Sequence, residues 1–195
     1  MPASKVYVKA TFMKDSTVKN HFVDVFASDY YYDAVLWAAE KGITSGTDAV
    51  HFSPNLICTR AQAVTFLWRL AGSPKPKSSE MSFRDVAPGA YYYDAVLWAV
   101  ENRITMGTSY TTFSPNSECT RSQIVTFLWR SQKSPAAGSA NPFTDVAAEA
   151  YYYDAVLWAV KEKVTSGTSA TTFSPNADCT RAQIVTFLYR CHGNE

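Results

Sequence analysis

At 195 residues and 47% hydrophobic content, the chain can bury a core but is short for two full-sized domains, so one compact unit built of repeats fits best. Charged residues make up 18% and the formal net charge is +1, which excludes a broad basic field of the kind that draws nucleic acid or an anionic membrane. No run of 18 apolar residues occurs, which excludes a spanning helix.

The opening MPASKVYVKATF lacks the apolar centre of a signal peptide and reads as the edge of an excised or processed piece rather than as a mark of a cytoplasmic home. Residues 1–21 form an extension whose KVYVKATFMKD stretch alternates apolar and polar positions, as one strand or the remnant of a preceding domain would. Three copies of one unit follow, over residues 22–72, 83–131 and 143–195. Each carries F-x-D-V, YYYDAVLWA, I/V-T-x-G-T, FSPN, C-T-R-x-Q and V-T-F-L in that order. The intervening segments 73–82 and 132–142 are rich in Pro, Ser and Lys and read as flexible linkers between separately hinged units.

Within copy one, Tyr30 to Lys41 reads as a helix with Tyr31, Ala34, Val35 and Ala38 on one face, stopped by Gly42. Arg103 and Lys163 stand where Gly42 does, and the cost of a left-handed residue predicts that these two turns close differently. Phe52-Ser53-Pro54-Asn55 reads as a tight turn that sends an aromatic inward. Thr59 with Gln62 forms a capping box that opens a second helix running to about Leu70, and Thr120 with Gln123 and Thr180 with Gln183 repeat it. A helix pair of this size cannot bury its apolar face alone. The expected fold is therefore all-α, three helix-loop-helix repeats packed about a pseudo-threefold axis within a monomer.

The recurrent F-x-D-V, aromatic helix start, G-I-T-x-G, F-x-P-x and T-R-A-Q resemble the S-layer homology domain, over roughly Phe22 to Cys191. The resemblance implies a three-pronged helical bundle, carried on an extracellular protein, whose inter-repeat grooves bind a secondary cell-wall polysaccharide, often one with a negatively charged pyruvyl group. It implies Arg60, Arg121 and Arg181 as first ligand contacts, with Asp24, Asp85, Asp145, Gly46, Gly107 and Gly167 as further candidates. The chain departs from the family pattern in having Tyr30, Tyr91 and Tyr151 where Trp is usual, Gln for the Glu of the tetrad, and Cys before it.

An Arg in the first turn of a helix lies beside unpaired backbone N–H groups and the positive end of the dipole, a pairing that can grip a carboxylate or phosphate. The structural alternative is that each Arg pairs with Asp24, Asp85 or Asp145 and fastens the bundle. The triple tyrosines cannot all point inward from one turn, so one ring of each set is expected at solvent or in a groove, and Tyr30, Tyr91 and Tyr151 join the candidate ligand set. The five tryptophans read as packing.

Cys58, Cys119 and Cys179 stand at equivalent positions, which are seldom close enough to bridge, and with Cys191 they lack zinc spacing. No cofactor or metal is implied, and His21, His51 and His192 do not recur between copies, so no catalytic constellation emerges. The reading is a non-catalytic anchoring module for an acidic wall polysaccharide. The alternatives are a protein-interaction module of a bacterial surface protein and a bare spacer. Met106 in place of Ser45 and Ser166, and Asn102-Arg103 in place of Lys-Gly, predict unequal grooves, with the one that uses copy two's turn the weakest.

Overall fold

The computed structural model describes residues 19–193, so the KVYVKATFMKD stretch and the expected strand lie outside the described residues. Six helices follow one another: α1 Tyr32–Glu40, α2 Arg60–Leu70, α3 Tyr93–Glu101, α4 Arg121–Ser131, α5 Tyr153–Lys161 and α6 Arg181–His192. Over the described residues the fold is all-α, with three repeated helix pairs.

The first helix of each pair begins without a side-chain cap, at Tyr31, Tyr92 or Tyr152, and carries Asp33, Asp94 or Asp154 in its first turn, where the dipole favours negative charge. Five consecutive residues are buried in each, Ala34 to Ala38 in α1, so these helices are enclosed nearly all round and the one-face reading was too narrow. All three end the same way. Gly42, Arg103 and Lys163 all take left-handed backbone, at φ 68°, 58° and 60°. The amide after each, from Ile43, Ile104 or Val164, bonds back to Ala38, Ala99 or Ala159 at 2.8 Å, a Schellman closure. The expectation of different closures fails because this hydrogen bond and the burial of the following aliphatic (each 0% exposed) outweigh the left-handed cost of about 1–2 kcal/mol.

The second helices open on capping boxes at Thr59, Thr120 and Thr180, with both reciprocal bonds formed. Pairing between helices then crosses the repeats: α3 packs on α2, α5 on α4, and α1 on α6. Each prong is thus the second helix of one repeat with the first helix of the next, and the ring closes from the third repeat onto the first. Both α2 and α6 contact α4.

One hydrophobic core runs through all three repeats, which removes the idea of separately hinged units. The linkers are also tied down: Trp68 donates its indole N–H to the Pro74 carbonyl at 2.9 Å, and Trp129 does the same to Pro135 at 2.8 Å. Trp37, Trp98 and Trp158 are buried. At one end of the axis the Cys58 amide donates to Cys179, Cys119 to Cys58 and Cys179 to Cys119, each at 2.9 Å, a closed main-chain ring. The three cysteines therefore meet, contrary to the spacing argument, because the turns before the second helices converge on the axis.

Candidate functional site

The three arginines stand at the first position of α2, α4 and α6 and are only 3–4% exposed. Arg60 Nε–H donates to the Phe113 carbonyl at 2.9 Å, Arg121 to Phe173 at 2.8 Å and Arg181 to Phe52 at 2.9 Å, so each reaches into the next repeat. Each guanidinium also lies over two phenylalanine rings, at 4.9 Å and 5.4 Å from their centroids, as Arg60 does over Phe113 and Phe127. Burial pulls all three below the usual guanidinium pKa, the direction expected for a cation drawn out of water, yet arginine remains charged at neutral pH.

The Arg–Asp pairs of the structural alternative do not form. Among the described residues the ion pairs are His51 with Asp48 and Lys161 with Glu162. Asp24, Asp85 and Asp145 instead accept two amides each within their own repeat; Asp24 takes those of Phe52 at 2.9 Å and Ser53 at 2.7 Å. They pin the FSPN turn, whose serines sit at φ 57–59°. This is a structural role, and the sequence reading had no signal for it.

Nor are the helix amides open to a ligand. The first two amides of α2, from Arg60 and Ala61, donate to Ser117 and Pro115 of the next repeat, and α4 and α6 repeat the arrangement with Ala177, Pro175, Leu56 and Pro54. The capping threonines take the third. The picture of guanidinium and free backbone gripping an anion together is therefore corrected: the neighbouring repeat occupies the backbone donors.

Gly46, Gly107 and Gly167 take φ of 88°, 83° and 88°. A Cβ on Gly107 would stand 2.5 Å from the Phe83 ring and 2.5 Å from the Thr112 carbonyl, so the turn has no room for a side chain. Their place in the sequence pattern follows from packing.

Tyr30, Tyr91 and Tyr151 are 66%, 60% and 60% exposed, while the second and third tyrosines of each set pack against the core. One ring per set faces outward, as expected. Each stands in the electrostatic neighbourhood of an arginine from a different repeat: Tyr151 by Arg60, Tyr30 by Arg121 and Tyr91 by Arg181. Burial of the phenol end raises the pKa of Tyr30 and Tyr91 although most of each side chain is open. Each such cluster draws on all three repeats: an Arg from one, the Phe carbonyl and Asp-pinned turn from the next, and a Tyr from the third.

This threefold recurrence agrees with comparison to known proteins. The family model for the S-layer homology domain matches residues 21–64, 82–125 and 142–185. The chain belongs to the S-layer homology domain family. It is 30% identical, over 84% of its length, to the surface-layer 125 kDa protein of Lysinibacillus sphaericus, and 25% identical, over 86%, to the S-layer protein of Bacillus thuringiensis subsp. finitimus. An endoglucanase of Bacillus sp. (strain KSM-635) is 27% identical over 70% of the chain. The chain spans 14%, 21% and 14% of the length of these three relatives. Family and relatives together place this S-layer homology module at the bacterial cell surface.

Other features offer less. The Cys58, Cys119 and Cys179 thiols are fully buried, and among the described residues no group of three His, Cys, Asp or Glu is suited to hold a metal. A cavity of about 430 Å³, whose lining does not include Arg60, Arg121 or Arg181, is bounded by the helix C-terminal residues Ala71, Gly72, Ser131 and Gln132 together with the basic Lys41, Arg69 and His192.

Proposed function

We propose that the module holds a larger surface protein to the cell wall by binding an acidic secondary polysaccharide in its three inter-repeat grooves. The observation that carries the reading is the set of three guanidinium charges with no carboxylate within 4.0 Å among the described residues, each with an exposed tyrosine of another repeat in its electrostatic neighbourhood. A buried charge without a counter-ion is costly, and an anionic group in the groove relieves that cost at close range. The tyrosine rings supply flat apolar surface for sugar faces. A chain of net charge +1 thereby gains local anion sites without a basic surface. Arg60, Arg121, Arg181, Tyr30, Tyr91 and Tyr151 are the residues assigned to the ligand. The Asp and Gly candidates act through the turns they hold. A pyruvylated sugar is the form that the family resemblance implies.

Sedimentation with purified sacculi tests this. The chain is expected to pellet with intact sacculi and to stay in solution once the secondary polymer has been stripped. Equal pelleting with stripped sacculi would overturn it.

A protein-interaction role has one specific observation in its favour. Val23, Phe26, Val50, Leu56 and Ile57 are exposed in copy one. Copies two and three carry Arg84, Ala87, Thr111, Ser117 and Glu118, and Thr144, Ala147, Thr171, Ala177 and Asp178, at the matching positions. Retention by polymer-free wall would favour that reading.

A further inference from the structure

The three second helices agree closely in sequence as far as Arg69, Arg130 and Arg190 and then diverge: Leu70-Ala71-Gly72 follows in copy one, Ser131-Gln132-Lys133 in copy two and Cys191-His192-Gly193 in copy three. The divergent ends line the cavity of about 430 Å³, a volume within the range of roughly 300–1,000 Å³ for small-molecule sites. Gln132 and His192 meet there, their Nε2 atoms 3.0 Å apart, and copy one sets only Ala71 at the matching position. The short Ala71, followed by Gly72, leaves the space open. Arg181 opens the helix that His192 ends, so the two lie about 16 Å apart along α6 at 1.5 Å per residue.

The lining has two characters. Trp37 and Trp98, each 9% exposed, form apolar walls with Leu67 and Leu70. Lys41, Arg69 and His192 supply basic groups, and among the described residues no Asp or Glu lines the cavity. Copies two and three carry Asn102 and Glu162 where Lys41 stands, so this charge belongs to the cavity and is not a feature of the repeat. Arg69 is held in place, because its Nη1–H donates to the Ile43 carbonyl at 3.2 Å, using one of the five guanidinium donors. The helix ends do not cancel these charges, since turn amides already bond their last carbonyls. Ala71, Gly72 and Ser73 donate to Leu67, Arg69 and Trp68 at 2.9–3.0 Å, and Gln132, Lys133 and Ser134 close α4 in the same way.

We propose that this cavity is a separate binding site for a small aromatic carboxylate, its ring against Trp37 and Trp98 and its carboxylate toward Lys41, Arg69 and His192. Indole edges and faces are the surfaces on which an aromatic ring packs, and cationic N–H donors make their strongest hydrogen bonds to a carboxylate. A neutral aromatic molecule leaves the basic groups unpaired. A compact anion such as acetate leaves the indoles uncovered. The site occurs once per chain, because Ala71 and Lys41 have no counterparts in the other copies. It stands apart from the polysaccharide reading and does not depend on it.

Calorimetric titration of the full chain with 2-naphthoate, 2-naphthamide and acetate tests this. Naphthoate is expected to bind at one site per chain and about tenfold tighter than the amide, the margin of a charge-assisted hydrogen bond, with no measurable binding of acetate. Ala71→Gln installs the side chain that copy two carries at this position and is expected to fill the cavity and abolish binding. Lys41→Glu installs the residue of copy three and is expected to weaken naphthoate about fivefold. Both variants are expected to keep the melting temperature of the unmodified chain and its level of pelleting with intact sacculi. Absence of saturable naphthoate binding at millimolar concentration, equal binding of the amide, or undiminished binding by both variants overturns the proposal. Three equivalent sites per chain would place the ligand at the arginines and overturn it as well.

Discussion

Arg181 in the third repeat donates its Nε–H to the Phe52 carbonyl in the first, 2.9 Å apart in space and 129 residues apart in the chain. With Arg60 to Phe113 and Arg121 to Phe173 it completes a ring of three bonds, so the repeats are interlocked rather than strung together. Each bond joins a buried donor to a carbonyl that would otherwise be left with one partner fewer. Arg181→Ala is expected to destabilise the chain by about 2–4 kcal/mol, from the lost bond and the cavity. Urea denaturation checks this. The chain is expected to unfold in one transition, and separate transitions for the repeats would contradict the interlock.

The mid-repeat glycines give a second prediction. Gly167→Ala would put a methyl 2.5 Å from the Phe143 ring and 2.5 Å from the Thr172 carbonyl, at a φ of 88° that alanine resists. Loss of about 3 kcal/mol or more is expected, combining the backbone cost with overpacking. Gly42→Ala offers the contrast, because nothing lies within 4 Å of its Cβ position and Arg103 and Lys163 already occupy that conformation. Its cost is expected to be about 1 kcal/mol. Melting temperatures of the two variants check the difference.

The axial cysteines predict a response to alkali. Burial pushes the Cys58 and Cys179 thiols from an ordinary value of 9.0 up to about 12, and Cys119 moves in the same direction. The unfolded chain releases these protons near pH 9 while the folded chain retains them. Their contribution is therefore intact below pH 9 and is lost as pH rises from there toward 12, at about 1.4 kcal/mol per pH unit for each thiol. Stability measured from pH 8 to 11 is expected to fall on this slope, and a Cys→Ala change at one axial position to flatten it by one proton. The same burial predicts that iodoacetamide leaves the three thiols unmodified until the chain unfolds.

The outward tyrosines separate binding from folding. Because Tyr30, Tyr91 and Tyr151 are mostly exposed, replacing all three by alanine is expected to change stability by no more than about 1 kcal/mol each. Retention by sacculi is expected to fall at least tenfold. Unchanged retention would remove these rings from the groove. The arginines cannot provide so clean a test, since they carry structure as well.

Much of this was legible in the sequence, and the remainder has physical reasons for being hidden. Thr59 with Gln62 reports its own capping box because the contacts are local, and the three in-register motifs imply the pseudo-threefold. Which helix pairs with which was not legible: α1 meets α6 rather than α2, a choice set by tertiary closure that periodicity does not encode. Arg60 looked like an open anion clamp because its partners, the Phe113 carbonyl and the Ser117 and Pro115 carbonyls that take the helix amides, lie more than 50 residues away. The left-handed Arg103 and Lys163 show tertiary context overriding residue preference. The meeting of the cysteines on the axis could have been suspected from their identical place one residue before each cap, since a threefold brings equivalent positions together.

The most direct test of local anion recognition by a nearly neutral bundle is calorimetric titration of the chain with soluble wall polymer before and after its acidic substituents are removed. Binding of the acidic form, weakened by salt and abolished when the carboxylates are gone, is the expected result. Equal affinity for the acidic and the neutralised polymer would contradict it, and the buried arginines would then be fasteners of the fold alone.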